Sequence, residues 1–144
     1  MGSSRWGIGL SLGIMFLAIL QLNCLPTGMD RHIGVLGPHH QADGVLAAPE
    51  TVQVGRRFAV TVTTIGSSSC VEADGADVAV NGLVAEIVPY DLDYTHGTCT
   101  MDYAPHPRLA LLRFDKRGIG TVRVIGATWS GFMDTVTASV VVGP

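Results

Sequence analysis

Residues 57–65 read RFAVTVTTI, and their alternation decides the fold class. Successive side chains of an extended chain point to opposite sides, so Phe58, Val60 and Val62 share one face while Arg57, Ala59, Thr61 and Thr63 share the other. In a helix, residues two apart fall on opposite sides, and these apolar positions would form no stripe. Similar short runs rich in β-branched residues recur at 77–80, 83–88, 109–114, 120–125 and 135–142, separated by Gly, Asp and Asn. Asn81-Gly82 is a strong hairpin signal between two of them. No window of ten or more residues beyond Thr51 carries a helical stripe. With 51–54 as a short edge strand the count is about seven, which predicts an all-β fold, an antiparallel two-sheet sandwich.

Two segments carry a resemblance. The entry ETVQVGRRFAVTV at 50–62 and the later FDKRGIGTVRV at 114–124 resemble the V-x-V-G-x-x-F-x-V-x-V and G-x-x-x-V-x-V strands of bacterial immunoglobulin-like domains of envelope proteins. The resemblance covers residues 50–142 and implies an immunoglobulin-like sandwich. It departs from the antibody pattern at Trp129, which follows both Cys70 and Cys99 instead of lying between them. A fold of this kind hosts many functions and selects none.

Ahead of this domain, Arg5 is followed by no charged residue until Asp30, and apolar residues are densest from Ile8 to Leu22. That is the h-region of a signal peptide, and its interruption by Gly7, Gly9, Ser11, Gly13 and Gln21 disfavours a transmembrane anchor of about 20 strongly apolar residues. LAILQLNC at 17–24 resembles the lipobox of bacterial lipoproteins, which implies lipidation of Cys24, although Asn23 stands where that motif has Gly, Ala or Ser. Ordinary cleavage nearby and retention as a signal anchor are the alternatives. All three place the chain in the cell envelope, on the periplasmic or outer side, tethered to the membrane in two of the three. Export also suits the cysteines: with Cys24 lipidated or removed, Cys70 and Cys99 remain as a disulfide pair. Residues 1–23 are thus expected as the signal peptide, 24–49 as a flexible tether and 50–144 as the folded domain.

Charge excludes one class of partner. Lys and Arg number 9 against 12 Asp and Glu, a net charge of −3, and no cationic cluster for phosphate neutralisation exists, so nucleic acid is not expected. The tether holds His32, His39 and His40, but a metal site needs three or four ligands in fixed geometry, and neither a metal nor any cofactor is predicted.

Catalysis is not expected either. Ser67, Ser68 and Ser69 form a polar turn before Cys70 with no nucleophile-elbow motif, and Asp91 and Asp93 suit a strand end as well as an acid–base pair. The most informative segment is YDLDYTHGTCTMDYAPH at 90–106, which contains all three tyrosines. Tyr90, Asp91, Asp93, Tyr94, His96, Met101, Asp102, Tyr103 and His106 are its candidate binding residues, since tyrosine gives large contact area at low entropic cost and a Cys70–Cys99 bridge would stiffen the loop. His96, Cys99, Met101 and His106 are also ligand types of a blue-copper site, but Met101 precedes His106 and Cys99 has a disulfide partner. The expectation is a noncatalytic exported module that binds another envelope protein or surface component through this loop. A structural spacer in an envelope assembly and a periplasmic metal-binding protein are the alternatives.

Overall fold

A computed structural model describes residues 28–37, 42–94 and 97–144; residues 1–23, expected as a signal peptide, and Cys24, His39, His40 and His96 lie outside the described residues. Among these, nine strands and one helical turn occur in the order β1 (Met29–Ile33), α1 (Ala42–Val45), β2 (Leu46–Ala47), β3 (Thr51–Gln53), β4 (Arg57–Gly66), β5 (Val71–Asn81), β6 (Val84–Tyr94), β7 (Ala104–Arg113), β8 (Gly118–Ala127) and β9 (Met133–Gly143). They form two sheets. One is β2-β4-β7, antiparallel throughout. The other is built on β6, which carries β5 along one edge. Its opposite edge is shared by β8, parallel to residues 84–87, and β1, antiparallel to residues 90–94; β9 and β3 continue beyond β8.

The alternation read at 57–65 packs as expected. Val60, Val62 and Thr64 of β4 are buried, and the two valines join Ala85 and Ile87 of β6, Val122 and Val124 of β8, and Val140 and Val142 of β9 in one core, with Leu112 and Phe114. Each such aliphatic side chain contributes about 1.5–3 kcal/mol on burial. The Phe114 ring lies 5.5 Å from that of Phe58 and is wholly buried. Directly beneath it is Gly120, where a Cβ would come 2.7 Å from Phe114 Cε2. Gly120→Ala therefore overpacks a ring that has no room to retreat, and a loss of about 1–3 kcal/mol in urea unfolding is expected; an unchanged midpoint would show that the core can yield.

Three expectations need correction. From Thr51 onward the strands number seven, β3 to β9, as expected, but the sandwich is mixed and not antiparallel: β3 runs parallel to β9 and β6 parallel to β8. The reason is topological. Between β6 and β8 the chain crosses to the other sheet as β7 and returns, and a connection that leaves and re-enters a sheet allows parallel neighbours. Next, the described part of 24–49 is no free tether. β1 fills the edge of β6 that β8 leaves open, and Gly34, Val35 and Leu36 exchange backbone bonds with Pro89, Ile65 and Ala127, reaching both sheets. Leu36, Val45 and Leu46 are core residues. Finally, the β5–β6 hairpin turns on Gly82-Leu83, with Gly82 at φ 63°, while Asn81 closes the ladder opposite Val84. A two-residue loop with positive φ at its first position alone is the II′ type, for which glycine is suited.

Candidate functional site

The segment 90–106 is strand at both ends, and this divides its candidate residues among three environments. On β6 the odd positions face the core, so Asp91 is fully buried. Burying a carboxylate without partners costs several kcal/mol, and the fold supplies them from the facing sheet. Thr64 Oγ1 of β4 donates to Asp91 Oδ1 at 2.9 Å, and Arg108 Nη2 of β7 donates to both Asp91 Oδ1 and Thr64 Oγ1. Arg108 Nη1 donates to the carbonyl oxygens of Tyr90 and, at 3.0 Å, of Gly75, which lies in the bulge where the β5–β6 register shifts. One guanidinium thus ties β4, β5, β6 and β7 together. The cluster has little slack, because a Cβ on Gly34 would stand 2.4 Å from Thr64 Cγ2 and 2.8 Å from Asp91 Oδ2, and one on Gly66 would stand 2.3 Å from His106 Nε2. Asp91 is a structural ion-pair partner and not a binding residue, a correction forced by its burial. Asp93, two positions on, stands opposite Asp30 in the β1–β6 register.

Tyr90 and Tyr94 take the even positions and face outward from the sheet. The Arg31 guanidinium of β1 sits 3.7 Å over the Tyr90 ring and pairs with Asp74 of β5 at 2.5 Å. That bond to Asp74 raises the Arg31 pKa further. Tyr94 donates its hydroxyl to Glu72 at 3.1 Å, a bond that holds the phenol above the ordinary tyrosine value. These two tyrosines are engaged across strands, apart from the third.

The connection between β6 and β7 forms the third environment. The expected bridge is present: Cys70 and Cys99 are joined, with Cα atoms 5.5 Å apart. Beside it Ser69 N donates to the Thr100 carbonyl at 3.1 Å, Thr100 N donates to Ser69 Oγ at 3.0 Å, and Cys70 N donates to Ser68 Oγ at 3.2 Å. The serine hydroxyls therefore serve the loop's own geometry. Held this way, the loop brings Tyr103 edge-on against Trp129 of the β8–β9 turn, with ring centroids 5.3 Å apart. That turn is itself closed by Thr128, whose N–H donates to the Phe132 carbonyl at 2.7 Å and whose hydroxyl accepts from Phe132 N at 3.1 Å, with Gly131 at φ 82°.

The outcome is an apolar cap on one end of the sandwich. Met101, Tyr103 and Phe132 are 95%, 76% and 74% exposed, and Met133 and Trp129 are exposed beside them. No protein-family model matches the chain, and no curated protein or solved structure matches it either.

Two loops held by internal hydrogen bonds, one of them also by a disulfide, present these large side chains with little left to order on any contact. Of the exposed residues at this end, Met101 and Tyr103 are among the sequence-based candidates, and Trp129, Phe132 and Met133 are not. The available signal was TWSGFM at 128–133, a glycine-containing turn between two strands that holds two aromatics where polar residues are usual. Among the described residues the copper-type ligands are not gathered: Cys99 is oxidised in the bridge, Met101 projects into solvent, His106 lies against Gly66, and no three His, Cys, Asp or Glu could hold a metal ion.

Proposed function

We propose that this chain is a noncatalytic module of the cell envelope, exported, held at a membrane by its N-terminal segment, and docking through the apolar end formed by 97–103 and 128–133. The observation that carries this reading is the Tyr103–Trp129 contact across two hydrogen-bonded turns, which also carry exposed Met101, Phe132 and Met133. Large apolar side chains left exposed together on two neighbouring turns mark a candidate interaction site. Export is supported by the Cys70–Cys99 disulfide, which persists in oxidising compartments, together with the charge-free apolar run ahead of Asp30. A noncatalytic role is supported by the sealing of Asp91 against Arg108 and the use of Ser68 and Ser69 within the loop. The domain reads as an immunoglobulin-like variant, supported by its two-sheet core, in which the β5–β6 hairpin has placed β6 beside β8.

Cell fractionation tests the address. After free thiols are alkylated in intact cells, the chain is expected in the envelope fraction with Cys70 and Cys99 protected, its mass starting at Cys24 with acyl groups if lipidated. Recovery in the cytosol with both thiols alkylated would reject the proposal.

A further inference from the structure

The apolar end and the chain's point of entry coincide. Met29, the first residue of β1, pairs with Tyr94; Tyr94 N donates to the Cys70 carbonyl at 2.9 Å; Cys70 is bridged to Cys99; and Cys99 lies two residues before Met101. The apolar run of the sequence ends at Leu22, so the seven residues to Met29 span at most about 25 Å even when fully extended. Whether the chain is held at a bilayer by that run or by acyl groups on Cys24, which is nearer still, the end of the sandwich bearing Met101, Tyr103, Trp129, Phe132 and Met133 cannot stand far from the same surface.

The composition of that end matches the interface between lipid and water. Trp and Tyr concentrate at headgroup depth because one part of each ring system is apolar and the other hydrogen-bonds. Residues 97–103 and 128–134 contain no Lys or Arg and two aspartates, Asp102 and Asp134. Attraction to anionic lipid is therefore no part of the contact, which must come from apolar area. Among the described residues no helix is long and apolar enough to cross a membrane.

We infer that the partner of this site is the bilayer itself: the 97–103 and 128–133 turns seat Trp129, Tyr103 and Phe132 in the interfacial layer of the membrane that holds the N-terminal segment. This rests on the membrane attachment proposed above. It gives the sandwich a fixed stance, with the aromatic end on the lipid and the Gly82 hairpin turned away.

The test uses the full chain reconstituted in phosphatidylcholine vesicles, with Trp6→Phe so that Trp129 is the sole tryptophan. Flotation reads attachment, and quenching by brominated lipids against aqueous iodide reads the position of Trp129. The expected result is a blue-shifted emission, loss of iodide quenching, strongest quenching by bromines near the headgroup, and no dependence on salt. Phe132→Ser with Met133→Ser should restore iodide quenching several-fold while flotation persists. Floated protein whose Trp129 stays open to iodide would overturn the stance and leave the attachment standing. Trp129 shielded from iodide but untouched by brominated lipid would mean that a second copy covers it, and would overturn the inference equally. Protein that does not float would overturn both.

Discussion

Arg108→Met is expected to cost about 3–5 kcal/mol of stability, because it leaves Asp91 charged, fully buried and without its counter-ion. The loss exceeds that of an ordinary hydrogen bond, about 0.5–1.5 kcal/mol, since the same substitution strips donors from the carbonyls of Gly75 and Tyr90 and from Thr64 Oγ1. A second substitution separates the contributions. Arg108→Met combined with Asp91→Asn removes the stranded charge while keeping an oxygen for the Thr64 hydroxyl. Urea unfolding should place the double variant well above the single one. If the two unfold alike, the orphaned carbonyls and not the carboxylate dominate, and the cluster is a backbone clamp more than an ion pair. For a domain whose whole stability is in the range of about 5–15 kcal/mol, the single variant stands near the edge of folding.

The same cluster shows why one part of the site was legible in the sequence and another was not. RFAVTVTTI alternates because its apolar residues face the facing sheet, and that information is local. YDLDY alternates too, but with aspartate on the inward positions, of which Asp91 is buried, so its period reads as a polar turn until Arg108, 17 residues from Asp91, is known to lie opposite. β1 was missed for a related reason. MDRHI buries little of its own side-chain surface, and it is extended because the edge of β6 at 90–94 offers backbone partners there. The parallel pairing of β6 with β8 is likewise absent from any local pattern, since it depends on β7 crossing between the sheets. Trp129 and Phe132 were readable as aromatics in a turn, yet their proximity to Tyr103 is a property of the two loops together.

Removing the disulfide, by Cys70→Ala with Cys99→Ala, is expected to lower stability by about 3–4 kcal/mol, the chain-entropy value for a bridge with a sequence separation of 29. The mechanism acts mainly on the unfolded chain, which gains freedom, so the folded sandwich should survive with both sheets intact. What changes in the native state is the loop. Without the bridge, 97–103 is held to the 67–70 turn by the paired bonds between Ser69 and Thr100, both near the surface and open to competition from water. Tyr103 should then leave Trp129 for part of the time, and near-ultraviolet dichroism from that edge-on pair should weaken while the far-ultraviolet β signal holds. The two readouts distinguish two roles for the bridge. A fall in stability with an unchanged aromatic signal would make it a staple of the unfolded state alone, and the loop would be rigid for other reasons. A lost aromatic signal accompanied by exposure of Trp129 to iodide in vesicles would make the disulfide a condition of the docking face. Because Cys99 is an exposed residue, a reductant would then control that face.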